Sequence, residues 1–183
     1  MKNLPNYLSI FRICLVPFFV LAYFKDAHGL KLIAAGIYAV AFVTDFLDGY
    51  LARKNNWISN AGKFLDPFGD KLMTAAVLVC ITIDKIIPVP IVAIYFIKEI
   101  LMGIGGLVIH KIAKLSMPPS NILGKLSTGV FFVTCLILLV YRDIPYVVAV
   151  TLVSIAIAIM LLAFVSYIFT YAKIMKNRVK TTE

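Results

Sequence analysis

Apolar runs long enough to cross a bilayer follow one another along almost the whole of this chain, and they leave it few ways to fold. A hydrocarbon layer of about 30 Å is spanned by a helix of about 20 apolar residues. Runs of that order cover residues 8–24, 30–53, 69–87, 89–112, 122–141 and 144–173. The expected fold is an all-α integral membrane protein of six transmembrane helices, entered through a short N-terminal interfacial segment at residues 3–9. The polar stretches between the runs are too short for a second folding unit, so residues 1–183 read as a single membrane-embedded domain.

Charge decides the orientation. The formal net charge of +9 is not gathered into a soluble basic region, which argues against nucleic acid as a partner. If both termini face the cytoplasm, Lys2, Arg53, Lys54, Lys63, Lys71, Lys111, Lys114, Lys125, Lys173, Lys176, Arg178 and Lys180 share that side, and the other keeps Lys25, Lys31, Lys85 and Arg142. Twelve against four is a positive-inside bias. It predicts a cell (inner) membrane protein with cytoplasmic termini, its basic tail at residues 173–180 lying against anionic lipid headgroups. Arg12 interrupts the first run and no small-residue cleavage site follows it, so that run is expected to remain a transmembrane helix rather than a signal peptide. Cys14, Cys80 and Cys135 stand singly inside apolar runs and read as small hydrophobic packing residues.

Against this background the acids are out of place. Four of the chain's Asp and Glu residues, Asp45, Asp48, Asp66 and Asp70, crowd into the segment 45–70. On a helix, offsets of three, four and seven put Asp45, Asp48, Gly49 and Ala52 on one face. Gly49 and Ala52 remove bulk from that face and allow a ligand close to the backbone. Gly62, Asp66 and Asp70 align in the same way if their segment is helical, with Asp66-Pro67 either capping a helix or lying inside one that began earlier. Even a lenient insertion scale sets about 2.5–3.5 kcal/mol against each such carboxylate at a helix centre. Divalent cations offset that cost, and an all-oxygen donor set suits Mg²⁺ or Mn²⁺. Two such ions can stabilise both the attacking and leaving oxygens of a phosphoryl-type displacement. Arg53, planar and permanently charged, suits a phosphate.

The run Asp45-x2-Asp48-Gly49-x2-Ala52-Arg53-x8-Gly62-x3-Asp66-x3-Asp70 resembles the complete signature of the CDP-alcohol phosphotransferases. The N-terminal Pro5-Asn6-x-Leu8-Ser9-x2-Arg12 is similar to that of the family's phospholipid-synthesising members, as are the length and the number of runs. The resemblance implies a membrane enzyme, usually a homodimer, that takes CDP-diacylglycerol as donor, releases CMP and joins the phosphatidyl group to an alcohol. It implies that Asp45 and Asp66 bridge two metal ions, that Asp48 binds one, and that Asp70 binds the other and acts as general base. Asn6, Ser9, Gly49, Arg53 and Ser59 match positions that hold CDP-diacylglycerol in relatives, and Ala52 and Gly62 complete that set.

The acceptor is read from lysines outside the signature. Lys63, Lys98, Lys114 and Lys125 are candidates for an anionic acceptor. Gly124-Lys125-x-Ser127-Thr128 resembles the Gly-Lys-x-Lys-Thr stretch of bacterial phosphatidylglycerophosphate synthases, whose acceptor is glycerol 3-phosphate, with Ser127 in place of the second lysine. Lys98-Glu99 stands where those enzymes tend to show Arg-Glu. Glycerol 3-phosphate is therefore the expected acceptor. The alternatives are phosphatidylglycerol, as in a CDP-alcohol-type cardiolipin synthase, then inositol phosphate and serine. Lys98 could instead be a membrane lysine paired with Glu99, and Lys114 a positive-inside anchor. A divalent-cation transporter is the non-enzyme alternative. It is disfavoured because the acids sit at one end of two helices, with only Glu99 elsewhere in the membrane interior.

Overall fold

The computed structural model describes the backbone of residues 4–25, 31–55, 62–113, 122–141 and 143–182, and the side chains of residues 7–25, 32–47, 69–106, 122–141 and 143–170. The described backbone is helical apart from short turns: α1 Leu4–Phe24, α2 Lys31–Asn55, α3 Gly62–Ile83, α4 Val89–Ala113, α5 Ile122–Val140 and α6 Tyr146–Thr182. Four helices carry stretches long and apolar enough to cross a membrane, Tyr7–Phe24, Val89–Gly106, Ile122–Val140 and Tyr146–Thr170. The apolar stretch of α2 among the described residues, Leu32–Leu47, is shorter. Large apolar side chains lie exposed along the helices, among them Phe18, Val43, Ile97, Leu126 and Phe169, as lipid-facing positions require.

Residues 4–9 of the N-terminal segment are helical and continuous with α1, which begins at Leu4 and runs unbroken to Phe24. Pro5 falls in its first turn, where a missing N–H leaves nothing unsatisfied. The third helix begins at Gly62, so of the two readings of Asp66-Pro67 the structure takes the second, with Pro67 inside a helix that started earlier. Its first residues lie ahead of the apolar run at 69–87 because residues 62–71 carry Lys63, Asp66, Asp70 and Lys71. At the other end of the chain α6 has 37 residues. A helix of that length runs for roughly 55 Å, which exceeds the hydrocarbon thickness. Its backbone stays helical through the whole of the basic tail at residues 173–180.

The chain divides into two compact units, Met1–Ile86 with Cys135–Ile144, and Ile87–Thr134 with Pro145–Glu183. In the first unit α1 is the common partner, packing along both α2 and α3. The buried residues follow helical stripes: Ser9, Arg12, Phe19 and Tyr23 on α1, Ala34, Ala35, Tyr38 and Ala41 on α2, and Gly69, Met73, Val77 and Ile81 on α3. The alanines let α2 approach closely, as small residues do between membrane helices. At one end Tyr23 Oη donates a 2.7 Å hydrogen bond to Asp84 Oδ2, tying α1 to the residue after α3. There α3 closes on a two-bond cap, Lys85 N–H to the Thr82 carbonyl and Ile86 N–H to the Ile81 carbonyl, with Lys85 in the left-handed region.

In the second unit α4 packs against α6. Val92, Tyr95 and Lys98 of α4 are buried, as are Ser127 and Phe131 of α5 and Ala149, Val153, Ala156 and Met160 of α6. The Tyr95 and Phe131 rings stack nearly parallel, with centroids 5.2 Å apart. Pro145 stands just before α6, and its carbonyl accepts from the N–H groups of Val148 and Ala149.

Candidate functional site

Both halves of the acid signature lie on helices. Asp45, Asp48, Gly49, Ala52 and Arg53 fall within α2, and Gly62, Asp66 and Asp70 within α3. The helical condition on the spacing of Gly62, Asp66 and Asp70 is thereby met. Asn6, Asp48, Gly49, Ala52, Arg53, Gly62, Lys63 and Asp66 lie outside the residues whose side chains are described, and Ser59 and Lys114 outside the described residues altogether.

The described part is the wall on which these helices rest. Arg12 of α1 points inward, its side chain 1% exposed, and its Nη1 lies 2.7 Å from Asp45 Oδ1 on α2. Asp45 keeps 36% of its side-chain surface, so burial of the pair is one-sided. The same Nη1 lies 3.8 Å from where a Cβ on Gly69 of α3 would stand. That position is also 3.5 Å from the Ser9 carbonyl oxygen and 3.4 Å from Ile13 Cγ1. A Cβ at Gly69 would therefore make ordinary contacts with α1, and α3 lies beside α1 near the level where Arg12 meets Asp45. Asp70 follows directly, half-buried, and its carbonyl accepts from Thr74 Oγ1 at 3.0 Å.

Of the four expected metal-binding acids, Asp45 and Asp70 are among the described side chains, on two helices that share α1 as a partner. Among the described residues no three His, Cys, Asp or Glu side chains gather into a cluster. The donor chemistry fits a hard divalent cation, since every candidate is a carboxylate. Ser9, expected to touch the lipid donor, is fully buried, with its carbonyl near Gly69.

The acceptor candidates that are described belong to the second unit. Lys98 is 6% exposed, and its Nζ pairs with Glu99 Oε1 and lies 5.7 Å from the Tyr95 ring centroid. Ser127 is buried and donates to the Gly124 carbonyl at 2.8 Å. Lys125 is exposed. Gly124 lies under Tyr167 of α6, whose hydroxyl would stand 2.5 Å from a Cβ placed there.

The residue that sequence reasoning passed over is Arg12, taken only as an interruption of the first span and part of the N-terminal pattern. Its signal was present, since a lone arginine in an apolar run requires a partner in the protein interior.

Comparison with known proteins places these helices among relatives. A family model described as CDP-alcohol phosphatidyltransferase matches residues 2–175. A Rickettsia typhi protein named CDP-diacylglycerol--glycerol-3-phosphate 3-phosphatidyltransferase is 34% identical over 157 residues, covering 79% of this chain and 84% of the relative. Proteins of the same name are similar over shorter stretches. That of Haemophilus influenzae is 48% identical over 79 residues, 43% of each chain, and that of Escherichia coli K12 is 44% identical over 80 residues, 44% of each.

Proposed function

The chain belongs to the CDP-alcohol phosphatidyltransferase family, and from that premise we propose that it transfers the phosphatidyl group of CDP-diacylglycerol to glycerol 3-phosphate, giving phosphatidylglycerophosphate and CMP. The observation that carries the choice of acceptor is the shared name of relatives that cover most of their own length, as in the Rickettsia typhi protein. The exposed Lys125 is better able to receive a phosphate-bearing acceptor than Lys98, whose ammonium is already engaged by Glu99. Lys63, Lys114 and Ser127 complete the acceptor candidates, and Asn6, Ser9, Gly49, Ala52, Arg53, Ser59 and Gly62 the candidates for the donor. The reading includes α2 and α3 as further membrane spans, cytoplasmic termini, an active site at the cytoplasmic face of the inner membrane, and a homodimer. The twelve-to-four asymmetry of basic residues supports the orientation.

Asp45, Asp48, Asp66 and Asp70 would hold two divalent cations, Mg²⁺ or Mn²⁺, which supply charge stabilisation to the diphosphate oxygens. Arg53 pairs with phosphate through its planar fork. Asp70 takes the proton of the acceptor hydroxyl as that oxygen bonds to the phosphorus bearing diacylglycerol. The bond from that phosphorus to the CMP oxygen breaks, and CMP leaves with the electron pair. Most of the acceleration comes from positioning and charge.

Purified protein with CDP-diacylglycerol and Mg²⁺ or Mn²⁺ should release CMP when offered glycerol 3-phosphate, and not when offered phosphatidylglycerol, inositol phosphate or serine. Release with phosphatidylglycerol alone would make it a cardiolipin synthase. Asp70→Asn should lower CMP release by about 10²–10⁴-fold, the usual contribution of a general base, with unfolding temperature unchanged. Near-normal release would refute the assignment.

A further inference from the structure

The geometry points to Arg12 as the positioning residue of the acid site: its buried guanidinium pairs with Asp45 across helices and holds that carboxylate in place for a divalent cation. This rests on the reading of Asp45 as a metal ligand. Three observations carry it. The guanidinium is 1% exposed while its partner keeps 36% of its surface, so the arginine is the buried member of the pair and the acid the more accessible one. The ion pair is made across helices, from α1 to α2, and the same Nη1 lies 3.8 Å from where a Cβ on Gly69 of α3, one residue before Asp70, would stand. Arg12 therefore pairs with one acid-bearing helix where the other passes nearby, and α1 is the helix on which both of them pack.

The chemistry requires such a residue. Four carboxylates brought together repel one another, and a lone one can swing away or take up a proton before a cation arrives. A permanently charged guanidinium offsets one negative charge at every working pH and cannot give up its proton when buried, as a lysine ammonium can. Stability alone does not explain it, because a buried ion pair is often no better for stability than apolar residues of the same volume. Partners of this kind, one shell out from a metal ligand, typically change metal affinity by about 10–100-fold when removed.

The test is a Mn²⁺ titration of the full-length protein in detergent, followed both by the electron paramagnetic resonance of free Mn²⁺ and by the rise in unfolding temperature. Arg12→Gln should raise the half-saturating Mn²⁺ concentration about 10–100-fold, and Arg12→Lys should fall between it and the parent. In an Asp45→Asn background Arg12→Gln should add less than about threefold, since its effect passes through Asp45. Tyr23→Phe breaks the hydrogen bond that ties α1 to Asp84 at the other end of the unit. It should lower the unfolding temperature and leave the Mn²⁺ midpoint in place.

An unshifted midpoint in a folded Arg12 variant would overturn the inference while leaving the metal reading intact. So would an equal shift in Tyr23→Phe. Failure of both Arg12 variants to fold would assign the residue a structural role and overturn it as well. A parent protein that takes up no Mn²⁺ would sink the metal reading itself, and this inference with it.

Discussion

The Arg12–Asp45 and Lys98–Glu99 ion pairs belong to different units of this membrane protein, and they are built in opposite ways. Arg12 and Asp45 come from different helices, and the acid remains open over a third of its surface. Lys98 and Glu99 are neighbours on α4, and both are largely hidden, at 7% and 14% side-chain exposure. Each pair takes charge out of water at a cost of several kcal/mol per ion before pairing offsets it. The second closes on itself, and Tyr95 lies beside its ammonium. The first leaves its carboxylate partly exposed. A buried charge whose partner is remote in sequence and still accessible points to a site, whereas one satisfied by its neighbour is consistent with packing alone.

Cutting each pair in two ways tests the distinction most severely. Asp45→Ala and Glu99→Ala should both destabilise by about 3–5 kcal/mol, measured by unfolding in detergent, because each strands a buried cation. Replacing both partners with apolar residues should return most of that stability in either unit. Turnover per folded molecule should separate them. Arg12→Met/Asp45→Leu should lose CMP release by about 10³-fold or more, the scale on which a charge-stabilising group counts. Lys98→Met/Glu99→Leu should retain it within tenfold. A rise in KM for glycerol 3-phosphate in the latter variant would return Lys98 to the acceptor pocket and break the comparison.

The glycines divide along the same line, with a smaller effect. Gly124 has no room for a methyl group, since Tyr167 Oη would lie 2.5 Å away and its ring carbons 3.2 Å. Gly124→Ala should therefore cost about 1–3 kcal/mol as Tyr167 is displaced, with part of it recovered by Tyr167→Phe. At Gly69 the nearest atom is 3.4 Å off, an ordinary contact. Gly69→Ala should lie between neutral and about 1 kcal/mol stabilising through helix propensity, while Gly69→Val should drive α3 off α1 and disturb Asp70. Thermal unfolding of the four variants in one detergent checks the order. Equal costs at both glycines would mean that α1 and α3 fit no more loosely than α5 and α6.

The parts legible in the sequence were those written in local periodicity. Hydropathy marked six runs, four of which fall on helices long and apolar enough to cross a membrane, and offsets of three and four placed the signature on segments whose backbone is helical in the structure. The start of α3 was left open because Lys63, Asp66, Asp70 and Lys71 break the apolar run over residues 62–71 and Asp66-Pro67 suits either a cap or a helix interior. The N-terminal residues read as interfacial because Pro5 and Asn6 look like an irregular entry, although proline in a first turn is compatible with a helix. The Arg12 to Asp45 contact was illegible for another reason. It depends on how α1 packs on α2, which no spacing within either helix encodes. The Lys98 to Glu99 pair was left open because adjacent residues on a helix do not face each other. Here the long lysine stem brings the ammonium back to its neighbour.

The smallest effect belongs to a residue at the end of α3 remote from the signature acids. The cap that ends α3 places Lys85 at φ 59 degrees. In that conformation a β-carbon crowds the backbone, and helix ends usually assign it to glycine. Both bonds of the cap are made, at 2.9 Å from Lys85 N and 3.0 Å from Ile86 N, so the backbone is held there by its own hydrogen bonds and not by the lysine side chain. Lys85→Gly relieves the crowding, and the greater freedom of glycine in the unfolded chain offsets part of the gain. The expected net is a stabilisation of about 0.5–1 kcal/mol with CMP release unchanged. Destabilisation instead would show that Lys85 contributes at that surface, to lipid headgroups or to the nearby Asp84, and that this end of the first unit also depends on a charge.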